Sequence, residues 1–287
     1  VTSIAFSPDQ QQLVSAGWDN LLILWDAQTG EQIRRFTGNT GAVFDVAFSL
    51  DGRQLLSGSE DRTMILWDVD TASILRRFEG FTDSVNTVAF SPDGDTILAG
   101  FGTIRYVAGN NEDNTLRLFN SANGEEIRHF EGHSAPVTAA IFSPDGNTIL
   151  SASTDATVRL WDAATGSEIR RFLGHGTAVW SVSYSPDGHY AISGSQDGTV
   201  IIWDLTTGEA LRSLDGRGVM VQGTASTADG KLAVTASADG TLRWWRLALG
   251  LSDLLTWTQD HRYVRDLTCS ERELYRVAPF CDEPEPA

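Results

Sequence analysis

Lysine is nearly missing from this chain. Of its 21 basic residues only Lys231 is Lys, and the other 20 are Arg. Positive charge is scarce as a whole, since 38 acidic residues leave a formal net charge of −17. An acidic excess of this size repels phosphate backbones and speaks against a nucleic-acid partner. Cysteine occurs twice, at Cys269 and Cys281, which excludes a disulfide-framework fold. No apolar run reaches the roughly 18 residues that span a bilayer, so no membrane partner is expected. The opening Val1-Thr2-Ser3-Ile4-Ala5-Phe6 has neither a Met nor the basic and apolar zones of a signal peptide, and a cytoplasmic location is the expectation. There is no phosphate-binding Gly loop, no metal-spaced His or Cys cluster and no nucleophile elbow. No catalytic residue, metal or cofactor is therefore expected. With 41% apolar residues, global disorder is excluded.

What is present is a period. Trp25-Asp26, Trp67-Asp68, Phe119-Asn120, Trp161-Asp162, Trp203-Asp204 and Trp245-Arg246 follow one another at spacings of 42, 52, 42, 42 and 42. Within each period a run such as Val85-Asn86-Thr87-Val88-Ala89-Phe90 leads to a tight turn. Its sequence is Ser-Pro-Asp-Gly at 91–94, 143–146 and 185–188, with variants at 49–52 and 227–230. A second run, a turn around an Asp such as Asp155, a third run ending at the aromatic, a Thr-Gly or Asn-Gly turn and a fourth run complete the unit. Four short strands with hairpin turns in 42 residues cannot bury both faces of a sheet alone. Radial repetition, the β-propeller, solves that problem.

The period, the Trp-Asp ending and Gly-His at 132–133 and 174–175 resemble the WD-repeat family over about residues 1–247. The resemblance implies an all-β propeller of four-stranded blades, six recognisable here, at about 1–37, 38–79, 80–131, 132–173, 174–215 and 216–247. It also implies a buried network in each unit. Blade 4 would carry His133, Ser151, Asp155 and Trp161, and blade 5 His175, Ser193, Asp197 and Trp203. Blade 2 keeps Ser57, Asp61 and Trp67 but has Asn39 in place of His; blade 3, with Phe81 and Phe119, has no network; blade 6 has Arg217 with Thr235, Asp239 and Trp245. The recurrence of His, Ser and Asp at the repeat spacing argues for structure rather than for a hydrolase site. The Arg pairs of the fourth strands, such as Arg34-Arg35 and Arg170-Arg171, read as charges that protect sheet edges. The other reading is a basic rim for an anionic ligand.

Propellers of this family mostly bind proteins or peptides on the face where the Gly-His and Asp turns emerge, and two positions per repeat point there. One follows the Val that opens the first strand: Thr2, Phe44, Asn86, Thr138, Trp180 and Gln222. The other precedes the turn Asp: Trp18, Glu60, Glu112, Thr154, Gln196 and Ala238. Both columns vary from blade to blade, as an individual binding surface should. Large aromatics favour interface hot spots, which singles out Trp18, Phe44 and Trp180. Phe44 and Trp180 are also in phase with the core positions that follow them. The ten-residue insertion, roughly 101–111, carries Phe101, Arg105 and Tyr106 and opens on the same face. Glu60, Glu112 and Asp113 make that side negative, which suits a protein or peptide ligand with basic residues and an apolar anchor.

After Trp245 the period stops. Residues 248–287 read as a helical tail with a disordered end, capped at Ser252-Asp253 and at Ser270-Glu271-Arg272-Glu273, similar to tails of bacterial WD-repeat propellers. Cys269 and Cys281 flank its second helix, either bridged or free. Blade 1 begins at its inner strand, whereas propellers of this family usually close with seven blades. The expectation is a fragment of a longer protein, with a closed six-bladed ring as the alternative. The functional expectation is a non-enzymatic docking scaffold in a bacterial signalling protein with an effector domain upstream. The alternatives are an enzyme or small-ligand propeller using the central channel, and an inert spacer or self-assembly module.

Overall fold

The computed structural model describes residues 1–103, 113–216 and 218–247. The chain divides into two compact units, Val1–Arg246 and Leu247–Ala287. The second is described only at Leu247, so the helical tail and both Cys positions lie outside the described residues.

The first unit is an all-β six-bladed propeller of antiparallel sheets, each built in chain order from the inside outward. Blade 1 holds β1 (Ser3–Phe6), β2 (Gln12–Ala16), β3 (Leu22–Asp26) and β4 (Gln32–Phe36). Blade 2 holds β5 (Val43–Phe48), β6 (Gln54–Ser59), β7 (Met64–Asp68) and β8 (Ile74–Phe78). Blade 3 holds β9 (Val85–Phe90), β10 (Thr96–Phe101), β11 (Leu116–Asn120) and β12 (Glu126–Phe130). Blade 4 holds β13 (Val137–Phe142), β14 (Thr148–Ser153), β15 (Thr157–Asp162) and β16 (Glu168–Leu173). Blade 5 holds β17 (Val179–Tyr184), β18 (Tyr190–Ser195), β19 (Thr199–Asp204) and β20 (Ala210–Asp215). Blade 6 has three strands among the described residues, β21 (Val221–Ser226), β22 (Leu232–Ser237) and β23 (Leu242–Arg246). No helix among the described residues is long and apolar enough to cross a membrane.

The turns are made by side chains at fixed places in the repeat. Between the first and second strands, Ser7, Ser49, Ser91, Ser143, Ser185 and Thr227 each donate to the Asp two residues on, at 2.5–2.6 Å. The same hydroxyls accept the N–H five residues on, closing the reversal. Between the third and fourth strands, Asp26, Asp68, Asn120, Asp162 and Asp204 accept N–H groups two or three residues on. This is why a short acceptor follows the aromatic in the first five repeats. In blade 6 that place is held by Arg246.

The core lies between blades rather than within one. Val14, Ala16, Leu22, Leu24 and Phe36 of blade 1 pack on Val43, Val46, Leu55, Ile65 and Trp67 of blade 2. The same arrangement joins blades 2 and 3, 3 and 4, and 4 and 5. Alternation along each strand supplies one apolar face toward the preceding blade and one toward the following blade. Gly58 shows how close the blades come: a Cβ there would meet Val85 Cγ1 at 2.9 Å.

Antiparallel order puts the turn between strands two and three, and the link into the next blade, on one end of the propeller, here the upper face. The other two turns fall on the lower face. There the first Arg of the fourth strand reaches into the next blade from blades 1, 2, 4 and 5. Arg170 donates to the carbonyls of Thr207 and Thr206 at 2.7 and 2.8 Å, Arg76 to those of Asn123 and Ala122, Arg34 to Val69 and Arg212 to Arg246. These Arg side chains therefore join neighbouring blades. That is neither of the roles expected for them, edge protection or an anionic-ligand rim. At Arg76 and Arg170 the planar fork of the guanidinium meets two successive carbonyls at once, a geometry that Lys does not reproduce.

Candidate functional site

In blades 2, 4, 5 and 6 the upper face is assembled by one recurring backbone hydrogen bond. Glu60 N donates to Ala42 O, Thr154 N to Pro136 O, Gln196 N to Ala178 O and Ala238 N to Met220 O, at 2.8–3.0 Å. Each bond sets the residue before the turn Asp beside the start of the inner strand. It thereby pairs Glu60 with Phe44, Thr154 with Thr138, Gln196 with Trp180 and Ala238 with Gln222. The two columns that vary in the sequence are thus neighbours in space.

Across the joint between blades 1 and 2, Val43 N donates to Gly17 O at 3.1 Å. That bond brings Trp18 against Phe44, with ring centroids 5.5 Å apart and planes at 81°. Trp18 is 52% exposed, while Phe44 is half-buried. Glu60 is half-buried, and Gln196 and Gln222 are exposed. Trp180 is half-buried, and its indole N–H is shut away from solvent without an acceptor.

Other members of the expected surface are placed differently. Phe101 is fully buried, its ring 4.8 Å from that of Phe81 and 5.0 Å from the Arg117 guanidinium carbon. It ends β10 at a register shift after Gly100 and packs on Phe81, which stands at the His place of the repeat. Asn86 is buried as well, its amide donating to Gly102 O and Val137 O at 2.6 and 2.9 Å. Thr138 donates to Val179 O at 2.6 Å and Thr2 to Val43 O at 2.5 Å. In blades 1, 3 and 4 this column therefore ties one inner strand to the next, and the reason is reach: Thr and Asn can meet that carbonyl, Phe and Trp cannot. Arg105, Tyr106 and Glu112 lie outside the described residues.

The buried networks differ between blades. In blade 4, Trp161 Nε1 donates to Ser151 Oγ at 2.8 Å, and Ser151 is 2.7 Å from His133 Nε2. His133 Nδ1 is 2.8 Å from the Asp155 carboxylate. With Ser151 taking the indole proton, the hydroxyl donates to Nε2 and the neutral ring donates from Nδ1. Burial holds the His133 imidazole below its ordinary pKa, against the pull of Asp155. Burial works to raise Asp155, but bonds from His133, Thr157 and Ser134 N prevail and hold its carboxyl well below the usual range.

In blade 5 the Thr after the turn stands between His and Asp. His175 Nδ1 meets Thr199 Oγ1 at 2.8 Å, and Thr199 donates to Asp197 at 2.6 Å, so a Thr relays between His and Asp. The signal for this was a Thr two residues after the turn Asp in blades 2 to 6, at 63, 115, 157, 199 and 241, which the sequence reading passed over. In blade 2, Trp67 bonds Ser57 at 2.9 Å, but both polar atoms of Asn39 are buried without partners. Arg217 lies outside the described residues. The His–Ser–Asp sets are closed within the blades, with His133, Ser151, His175 and Ser193 all buried, so they brace strands. Among the described residues no group of three or more His, Cys, Asp or Glu could hold a metal ion.

A second polar feature escaped the sequence reading. Asp45, in the inner strand of blade 2, accepts from Ser3 Oγ at 2.8 Å, Val46 N at 2.9 Å, Thr87 Oγ1 at 3.1 Å and Val88 N at 2.9 Å. It joins three blades at their inner strands. Burial raises its pKa, and the four donors oppose that.

A search of curated proteins finds no match to the chain. The family model "WD domain, G-beta repeat" (WD40) matches six tandem units, at residues 1–26, 30–68, 72–120, 124–162, 166–204 and 208–246. Propellers of this family are in general protein-interaction scaffolds without an activity of their own. With most of its length matched and six blades formed in the order of the repeats, the chain belongs to the WD40-repeat family of β-propellers.

Proposed function

We propose that this propeller is a non-enzymatic docking scaffold that binds a protein or peptide on its upper face, with Trp18 and Phe44 as the anchor. The observation that carries this reading is the exposure of the Trp18 indole while its partner ring, Phe44, sits half-buried across a blade joint. An amphipathic aromatic held by a rigid scaffold adds large contact area on binding at little entropic cost, which is how hot spots are built. Glu60 stands beside Phe44, and the turn carboxylates line the same face, so the ligand is a segment with Arg or Lys next to an apolar residue. Trp180, Gln196 and Gln222 extend the surface over blades 5 and 6. In this reading the propeller serves as the cytoplasmic docking part of a bacterial signalling protein whose effector domain lies upstream.

Panning the immobilised chain against a random displayed-peptide library tests the reading. Enriched peptides should share a basic residue beside an aliphatic or aromatic one. Their affinity should fall at least tenfold on Trp18→Ala and on Phe44→Ala, and should weaken with salt on a scale that Glu60→Gln reduces. Binders that are indifferent to all three substitutions would place the site elsewhere.

A further inference from the structure

The inner strands of blades 1 to 5 are tied to one another in two ways. In blades 1, 3 and 4 the residue after the opening Val makes the tie. Thr2, Asn86 and Thr138 each donate to the carbonyl of the Val that opens the next inner strand. In blade 2 that residue is Phe44, whose side chain has no polar atom. There the tie has moved one residue along the chain.

Asp45 carries it. Its Oδ1 accepts from Ser3 Oγ of blade 1 and from Val46 N, and its Oδ2 accepts from Thr87 Oγ1 and Val88 N of blade 3. Thr87 in turn accepts from Ala140 N of blade 4 at 3.1 Å, so the relay runs through four consecutive inner strands. The same place in the other blades holds Ser3, Thr87, Ala139, Ser181 and Gly223, and Asp45 is the one charged member of the column.

The neighbour of Asp45 gives this arrangement a use. Phe44 is the extra residue of a bulge: Val43 pairs with Ser59 and Asp45 with Gly58, and no residue of β6 stands opposite Phe44. A bulge re-aims the side chain it carries and leaves that residue outside the ladder. The backbone of Phe44 is therefore fixed through the residues on either side. Val43 is held from blade 1, its N–H on Gly17 O and its carbonyl by the Thr2 hydroxyl. Asp45 is held from blades 1 and 3 at once. Blade 5 is the contrast. Trp180 sits at the equivalent bulge, but Ser181 follows it, with its hydroxyl buried and unpartnered.

We infer that Asp45 is the positioning residue of the docking site: its carboxylate clamps the head of β5 between blades 1 and 3 and so holds the Phe44 ring edge to face with Trp18. This rests on the reading of Trp18 and Phe44 as the anchor. It assigns the order of that anchor to a side chain that need not meet the ligand.

The indole proton resonances of Trp18, assigned by their loss in Trp18→Phe, report the pair without any ligand, because the Phe44 ring current shifts them. Phe44→Ala gives their place without the ring. In Asp45→Asn, which keeps the shape and removes the charge, they should move toward that place while the signals of Trp161 and Trp203 stay. Ser3→Ala takes away one donor and leaves the charge. It should move them the same way by less, and it serves if Asp45→Asn does not fold. A peptide from the displayed-library selection gives the second readout. Asp45→Asn should weaken its binding about fivefold, and this loss should vanish on the Phe44→Ala background but persist on Glu60→Gln. If the Trp18 signals keep their place in the variants, or the affinity loss is the same with and without the Phe44 ring, Asp45 only braces the blades and the inference falls. If the selected peptides ignore Trp18→Ala and Phe44→Ala, the docking reading falls and the docking role of Asp45 with it, while the Trp18 signals alone judge its hold on Phe44.

Discussion

Trp18 and Phe44 meet edge to face across the joint between the first two blades, one ring from a turn and the other from the head of an inner strand. Trp18→Ala should cost the fold no more than about 1 kcal/mol, because half of the indole is already in water. A double-mutant cycle with Phe44→Ala should give a coupling of about 1 kcal/mol in stability, the size of an aromatic pair. Urea unfolding of the four proteins measures it. Ligand affinity should respond far more strongly than stability, and that separation distinguishes an anchor from a core residue.

Asn39 occupies the His place in blade 2 with both amide atoms buried and unpaired, while Ser57 and Asp61 stand ready. Asn39→His should complete the chain from Trp67 through Ser57 to Asp61 and stabilise the protein by about 1 kcal/mol. A lower urea midpoint in the variant would show that blade 2 cannot seat the ring.

Ser193 accepts from Trp203 at 2.8 Å and lies 2.6 Å from His175, whereas Ser15 in blade 1 serves only Trp25. Ser193→Ala should therefore cost more, about 3 kcal/mol against about 1 kcal/mol for Ser15→Ala, since it strands two buried groups rather than one. Equal losses in denaturant unfolding would mean that the His adds nothing to the brace.

Burial pushes the His175 imidazole down to about 4, with the charge of Asp197 pulling the other way. In the unfolded chain it titrates near 6.5, so the unfolded state takes the proton first. The stability that His175 contributes is complete above about pH 6.5 and is lost as pH falls toward 4, at no more than about 1.4 kcal/mol per pH unit. His133 shifts in the same direction. Urea midpoints should fall across that window, and His175→Gln should flatten the fall by about half without removing it.

Arg170→Lys keeps the charge but gives up the fork that holds the Thr206 and Thr207 carbonyls. A loss of about 0.5–1 kcal/mol is expected, larger than for Arg171→Lys, whose partner is the side chain of Glu168 on its own strand. Midpoints of the two variants, compared in one buffer, decide between a clasp and a charged fringe.

The strands, the turns and the blade order were all legible in the sequence, because each rests on local chemistry repeated at a fixed period: a Ser and an Asp two apart, an acceptor after an aromatic, alternation along a run. The site was legible only in part. The two variable columns did mark neighbours in space. Whether a column residue serves a partner or a neighbouring blade depended on side-chain reach across a joint, and Asn86 and Thr138 turned to a carbonyl that no single repeat contains. Phe101 read as the edge of an insertion, yet it stands at the place of the buried Ser59, Ser153 and Ser195 and belongs to the core. Asp45 looked like one polar residue in an apolar run, and its donors come from Ser3 and Thr87, 42 residues away on either side.

The four Arg clasps of the lower face run one way, from blades 1, 2, 4 and 5 to their successors. A blade thus carries the plug, and the turn that receives it is plain backbone present in every copy. Tandem duplication of such a unit yields a joint that works at once, with no second sequence having to change in step. Arrays built on this repeat can lengthen or shorten by whole blades.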